Sequence, residues 1–123
     1  MKKILVLYHN NCPDGFGAAW AAWKKLGSRA EYIGVNHGEP LPKNITGKNV
    51  YTLDFCYEDK YLKELLRRAK RVVILDHHAS RKEAVTRAHD YRYELHHSGA
   101  VISWNYFHPR KPVPRALRHI EDY

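Results

Sequence analysis

Short apolar runs alternate along this chain with amphipathic stretches, and that alternation restricts the fold more than any other feature. The apolar runs predict strands at 2–8, 30–35, 50–55, 71–75 and 91–95, and the stretches between them predict helices at 16–26, 58–70, 80–89, 99–107 and from 114 onward. Strands that alternate with helices are typical of a parallel sheet with crossover helices. We therefore predict a single α/β domain over 1–123, with a mostly parallel sheet of about five strands flanked by helices.

Basic side chains outnumber acidic ones, and the excess lies mainly in the second half. The chain has 21 Lys and Arg against 13 Asp and Glu, and residues 67–118 alone hold 12 basic and 4 acidic side chains. A positive field concentrates anions around a protein. The charge therefore favours a phosphate-rich partner, although a solvated basic surface would look the same.

Two further features bear on location. No apolar segment approaches the ~20 residues that a membrane span requires, so no membrane association is expected. The two cysteines, Cys12 and Cys56, do not form a disulfide framework. The cysteine count predicts a protein of the reducing cytoplasm.

Potential metal ligands follow three of the predicted strands. His9 and Asp14 come after the first strand, Asp54 ends the third, and Asp76-His77-His78 follows the fourth. Parallel sheets bind ligands at the carboxyl ends of their strands, so these groups can converge. Carboxylate and imidazole ligands suit Mn²⁺ or Zn²⁺ better than Ca²⁺. Taken singly, each residue could instead belong to an ordinary turn, strand end or surface pair.

The same residues resemble the DHH phosphoesterase superfamily. Asp76-His77-His78 after a hydrophobic strand resembles the motif that names the superfamily, and the segment 8–20 is similar to its first motif. Leu53-Asp54-Phe55 resembles the second motif. His97-Ser98-Gly99-Ala100 and the segment 118–123 resemble the nuclease-like branch. The resemblance covers nearly the whole chain.

Membership of that superfamily implies a Rossmann-like catalytic domain with phosphoesterase activity. The expected reaction is hydrolysis of phosphodiester bonds in short single-stranded oligonucleotides, or of nucleotide phosphoesters, by a metal-activated water. The expected cofactor is Mn²⁺, as one or two ions, with Mg²⁺ or Zn²⁺ as alternatives. Two other functions stay open: a catalytically incomplete module that binds phosphate or nucleic acid, and an inorganic pyrophosphatase of the same superfamily.

The resemblance also implies a role for each site residue. The metal ligands would be His9, Asp14, Asp54, Asp76 and His77. Asp76 would orient a histidine, and the residues closest to the reaction would be Asp54, Asp76, His77 and His78. The substrate phosphate would contact His78, His97, Ser98 and Gly99.

The chain departs from the family at two places. Cys12 stands where the first motif has an aspartate, and it is either a thiolate ligand that favours Zn²⁺ or an inert buried cysteine. The C-terminal substrate-binding domain usual in the family is absent, which predicts a fragment, a minimal member, or a chain that needs a partner or a second copy. Asp122 is a further candidate metal ligand near the end of the sequence.

The second half also offers basic and aromatic side chains that suit a nucleotide. Phosphate contacts are expected from Arg81, Lys82, Arg87, Arg110, Lys111 and Arg115. The three tryptophans, Trp20, Trp23 and Trp104, lie on apolar helical faces and are expected in the core rather than against bases.

Overall fold

Five parallel strands form the centre of the molecule, which a computed structural model describes for residues 2–122. They are β1 (Ile4–His9), β2 (Ala30–Val35), β3 (Asn49–Leu53), β4 (Arg71–Asp76) and β5 (Asp90–Tyr93). Their order in the sheet is β2-β1-β3-β4-β5, and every neighbouring pair is parallel. The predicted α/β fold with a parallel sheet of five strands is confirmed.

Helices cover both faces of the sheet. They are α1 (Pro13–Leu26), α2 (Asp59–Arg68), α3 (Lys82–Val85), α4 (Gly99–Phe107) and α5 (Arg115–Asp122). Successive strand residues face opposite sides, so Leu5 and Leu7 pack with α2 and α3, whereas Val6 packs with α1 and α4. Helix α5 packs against α1 and α4 on that second face. Within residues 2–122, no helix is long and apolar enough to cross a membrane.

The helix after the fourth strand differs from its prediction. In the sequence, Ser80 and Glu83 form a capping-box pattern that predicts a helix over 80–89. In the structure, residues 79–81 form a 3₁₀ turn, and α3 spans only Lys82–Val85 without a side-chain cap. The chain then leaves the helix because the His89 amide donates to the Val72 carbonyl at 3.0 Å, which brings β5 alongside β4. The pairing of β5 with β4 therefore outweighs the local helix propensity of this segment.

The prediction that all three tryptophans lie in the core is wrong for one of them. Trp104 is buried and stacks on the half-buried Trp20, with ring centroids 5.8 Å apart. Trp23 is 53% exposed. It lies on the outer face of α1, because the small residues Ala18 and Ala22 occupy the face of that helix that packs on the sheet.

Candidate metal centre

The predicted ligands meet at the carboxyl edge of the sheet. His9 is the last residue of β1, Asp54 directly follows β3, and Asp76 is the last residue of β4. Strands β1 and β3 are neighbours, and the connections from them lead to opposite sides, which creates a crevice at this point of the sheet. Such switch points are where open α/β sheets bind ligands.

An unusual backbone conformation orients the Asp54 carboxylate. Asp54 has a φ of 66°, a left-handed conformation that aspartate adopts more readily than most residues. Its amide donates to the Leu75 carbonyl at 2.9 Å, which ties the turn to β4. The side chain is nearly fully buried, and a Cβ added to Gly99 would lie 2.5 Å from Oδ1 of Asp54. The start of α4 therefore lies directly against this carboxylate.

One group of potential ligands gathers around the first oxygen of Asp54. Nε2 of His77 lies 2.8 Å from Oδ1 of Asp54 and 3.2 Å from Oδ2 of Asp14. Asp54, Asp76, His77 and His78 each place one ligand atom within 4.8 Å of the others, so this group could hold a metal ion. The structure thus brings together four of the residues predicted from the sequence.

Asp76 is the most deeply buried member of this group. Its Oδ1 lies 2.7 Å from Nδ1 of His78 and accepts a hydrogen bond from the His77 amide at 2.8 Å. Holding Nδ1 in this way leaves Nε2 of His78 available to a ligand, and His78 lines the cavity beside this group. Asp76 is fully buried, and its Oδ2 has no hydrogen-bond partner among residues 2–122. A buried carboxylate oxygen without a donor is costly unless a cation compensates it.

A second group lies on the other oxygen of Asp54. Oδ2 is 3.5 Å from Nδ1 of His9 and 3.8 Å from Sγ of Cys12. These three residues also place ligand atoms within 4.8 Å of one another. Cys12 is half-buried and faces Asp54, so the thiol belongs to the site rather than to the core. One carboxylate is therefore shared by two potential metal-binding groups.

Asp14, Asp54 and His77 shift one another's pKa values through direct contacts. Burial would raise the pKa of Asp14, but hydrogen bonds from His77 and from the Ala100 and Gly99 amides outweigh it and lower that pKa to about 2. Contacts with Asp14 and Asp54 raise the pKa of His77 from 6.5 to about 10. Burial raises the pKa of Asp54, and the neighbouring Asp14 carboxylate adds to that effect.

The donor set fits a divalent cation. Three carboxylates, Asp14, Asp54 and Asp76, lie around the crevice, and the last two are almost completely buried. His77 contacts two of them, and its ring would carry at most one positive charge. A charge of that size is too small to balance the buried carboxylates, whereas a divalent ion with imidazole and carboxylate ligands would balance them. The part of the prediction that an Asp and His group could bind a metal is therefore confirmed.

The N-terminus of α4 differs from the expectation that it binds substrate phosphate. The Gly99 and Ala100 amides donate to the Asp14 carboxylate at 2.9 and 2.7 Å, so Asp14 caps this helix from across the chain. The Ser98 amide donates to Oε2 of Glu121 at 2.8 Å, and Nδ1 of His97 lies 3.0 Å from the same oxygen. The structure therefore places carboxylates where we expected a phosphate.

Two of the predicted metal ligands, Asp14 and Asp122, belong to neither ligand group, and one predicted phosphate contact has another partner. Asp122 is exposed at the end of α5 and belongs to neither group among residues 2–122. Arg87, expected to contact phosphate, pairs with the exposed Asp59. Sequence reasoning missed the structural role of Glu121, because α5 is separated from α4 by a proline-containing loop, and nothing local to either helix indicates their contact.

Comparisons with known proteins bear on the fold and leave the activity open. No family model matches this sequence. The chain is 33% identical to the uncharacterized protein R106 of Acanthamoeba polyphaga mimivirus, in an alignment that covers 96% of this chain and 32% of that protein. A crystal structure of an uncharacterized protein from Helicobacter pylori G27 is similar with a TM-score of 0.70, at 15% identity, over 92% of this chain and 37% of that one. The chain spans about a third of the length of both proteins, and the structural similarity supports the α/β fold.

Proposed function

We propose that this chain is a metal-dependent phosphoesterase domain of the DHH type, which hydrolyses phosphodiester bonds in short oligonucleotides or nucleotide phosphoesters. The observation that carries the proposal is the shared Asp54 carboxylate, with the His77 group on one oxygen and the His9 and Cys12 group on the other. Two metal sites joined in this way are typical of phosphoester hydrolysis. The basic second half of the chain and the Asp-His-His motif support the same function.

Manganese is the ion we expect at the His77 group, because the ligands of that group are carboxylates and imidazoles. Such an ion, when bound, supplies a water of lowered pKa and neutralises charge on the phosphate. Asp54, His77 and His9 would hold the ions, and Asp76 keeps the His78 ring oriented. With Nδ1 held by Asp76, Nε2 of His78 would be left to hydrogen-bond a phosphate oxygen or to give a proton to the leaving oxygen.

A second candidate function is a catalytically incomplete module that binds phosphate or nucleic acid. The observation that favours it is the engagement of Asp14: both of its oxygens accept hydrogen bonds from α4 amides, so fewer lone pairs remain for a metal. Cys12 in place of a carboxylate also favours the binding module, because thiolate is a poor ligand for Mn²⁺.

Release of mononucleotide from a diribonucleotide in the presence of Mn²⁺ tests the proposal. The decisive variant is Asp54→Asn, because asparagine also tolerates the left-handed backbone that residue 54 requires. Loss of an outer-shell partner typically costs about 10–100-fold in metal affinity or activity, so loss of a shared ligand is expected to cost at least that much. Pyrophosphate is assayed in parallel, and faster turnover of pyrophosphate would favour the pyrophosphatase.

Asp90→Asn is the matched control, because it makes the same chemical change at the amino end of β5, away from the crevice. It is expected to keep wild-type activity. Equal activity of wild type and Asp54→Asn would refute the proposal. Metal-independent, salt-sensitive oligonucleotide binding without hydrolysis would identify the binding module instead.

A further inference from the structure

A cavity of about 240 Å³ opens beside the metal-binding groups and is not used by the chemistry described above. His9, Asp54 and His78 are among its lining residues, so it is continuous with the crevice. Its walls come from the segment after β3, from α2 and from the loop after β2. A ligand in this cavity would therefore touch the same residues that hold the proposed metal ions.

Aromatic rings form one wall of this cavity. Phe55 and Tyr57 follow the site residue Asp54 directly in sequence, and Tyr61 projects from the first turn of α2. The rings of Phe55 and Tyr57 meet edge to face at 5.0 Å, and those of Tyr57 and Tyr61 meet likewise at 6.2 Å. Flat aromatic surfaces of this kind stack with nucleobases whatever the base.

The wall also carries a buried polar atom without a partner. Tyr57 is 5% exposed, and its hydroxyl makes no hydrogen bond within residues 2–122. Buried tyrosine hydroxyls normally find a partner. The polar edge of a ring bound in the cavity would supply one. The lining of the cavity also includes Arg81, which can contact a phosphate or stack on a ring.

We propose that this cavity receives one base of the nucleotide whose phosphate lies at the Asp54 and His78 end, an inference that rests on the proposed function. A metal-binding end joined to an aromatic wall matches the two halves of a nucleotide. The volume is below the roughly 300–1,000 Å³ of pockets for drug-sized ligands, so it suits a single base rather than a dinucleotide.

Binding of adenosine monophosphate and of inorganic phosphate to the Mn²⁺-loaded full chain tests this proposal. The variant is Tyr61→Ala, which removes one ring of the wall without touching the metal-binding groups. Loss of a base-stacking ring is expected to weaken binding of the nucleotide about 5- to 150-fold and to leave phosphate binding unchanged. Tyr61→Phe keeps the ring and is expected to keep the affinity, and Tyr91→Ala on β5 is an exposed control.

The outcomes separate this proposal from the proposed function. If the protein hydrolyses a diribonucleotide but Tyr61→Ala binds adenosine monophosphate as wild type does, the cavity proposal is wrong and the function stands. If no phosphodiester is hydrolysed and the nucleotide still binds in a Tyr61-dependent way, the cavity stands and the function is wrong. Equal losses of phosphate and nucleotide binding in Tyr61→Ala would overturn the cavity proposal, because the base would add nothing.

Discussion

The Cys12 thiol lies 3.8 Å from the Asp54 oxygen that does not contact His77, and this position makes the metal preference of the site testable. A thiolate is a soft ligand that favours Zn²⁺ or Cd²⁺ over Mn²⁺. Titration of the reduced protein with Cd²⁺ is therefore expected to give an ultraviolet thiolate-to-metal charge-transfer band. Cys12→Ser should remove the band, and Cys12→Asp should raise the affinity for Mn²⁺ in competition with Zn²⁺.

The second cysteine provides the control for this experiment. Cys56 is buried among apolar residues, and burial raises the pKa of its thiol to about 12, so it stays protonated and unreactive. Cys56→Ala is expected to leave the band unchanged. A band that disappears with Cys56→Ala, or persists in Cys12→Ser, would show that Cys12 does not bind the metal.

In the metal-free protein, His77 should make stability depend on pH in the neutral to alkaline range. Asp14 and Asp54 raise its pKa from 6.5 to about 10, so the folded state holds a proton that the unfolded state releases at lower pH. The stabilisation is complete below pH 6.5 and is lost as the pH rises through about 10. With a chelator present, the urea midpoint of the wild type should fall over this interval.

Two histidine variants check that assignment. His77→Gln removes the ionisable ring, so its urea midpoint should be lower than that of the wild type at pH 6.5 and nearly constant up to pH 10. His96→Gln changes an exposed histidine of the loop before α4 and should follow the wild type. A wild-type midpoint that does not change between pH 6.5 and 10 would contradict the contact between the protonated ring and two carboxylates.

The sequence predicts which residues lie in the site better than it predicts their hydrogen-bond partners. Asp54, Asp76, His77 and His78 could be placed at one edge from strand ends alone, because parallel strands end together. The capping of α4 by Asp14 could not, since it joins residues 85 positions apart. The identity of a carboxylate residue does not indicate which distant backbone amides will donate hydrogen bonds to it.

At the level of the secondary-structure elements, α4 fixes the shape of the site through its first residue. Gly99 leaves no room for a side chain, because an added Cβ would lie 2.7 Å from the Cβ of Asp54. Gly99→Ala must therefore move either the helix or the carboxylate. We expect it to cost about 1–3 kcal/mol of stability through overpacking and to weaken metal binding about 10–100-fold, as loss of an orienting partner does.

Ser103→Ala is the companion variant on the same helix. Ser103 is fully buried and its hydroxyl has no hydrogen-bond partner among residues 2–122, so its removal is expected to leave metal affinity unchanged. Isothermal titration with Mn²⁺ and urea unfolding measure both properties for each variant. Wild-type metal affinity in Gly99→Ala would show that the close approach of α4 is unimportant for the site.

The elements themselves were predictable where local and tertiary requirements agree. Helix α4 begins and ends where the sequence indicates, because Ser98 accepts a hydrogen bond from the Val101 amide at 3.1 Å and caps it. Helix α1 starts three residues earlier than predicted, with Pro13 in its first turn. The helix after β4 is shorter than predicted because its capping signal competes with the pairing of β5. No local sequence pattern reveals that pairing.

For the whole molecule, the strand order explains why distant motifs form one site. The sequence predicts parallel strands but does not give their order, which depends on how the helices pack. The observed order places β1, β3 and β4 side by side, so their three carboxyl ends are adjacent. The site is therefore a property of the topology, and the motifs only supply its ligands.

The same topology divides the basic residues that the sequence groups together. Helix α4 begins at the candidate metal centre and extends away from it for nine residues, or about 13 Å. The exposed Arg110 and Lys111 beyond its end are therefore remote from the crevice, whereas Arg81 and Lys82 directly follow the Asp-His-His segment. Of these four residues, Arg81 and Lys82 are the ones placed to contact a phosphate backbone bound at the site.

Salt dependence of oligonucleotide binding tests that division. On single strands the logarithm of the binding constant falls with the logarithm of salt concentration by about 0.7 for each phosphate neutralised. Replacing Arg81 and Lys82 together by glutamine should thus reduce the slope by about 1.4, whereas replacing Arg110 and Lys111 should leave it nearly unchanged. Equal effects of the two double variants would mean that the net charge of +8 acts as a diffuse field and that the nucleic acid does not follow the metal-binding edge.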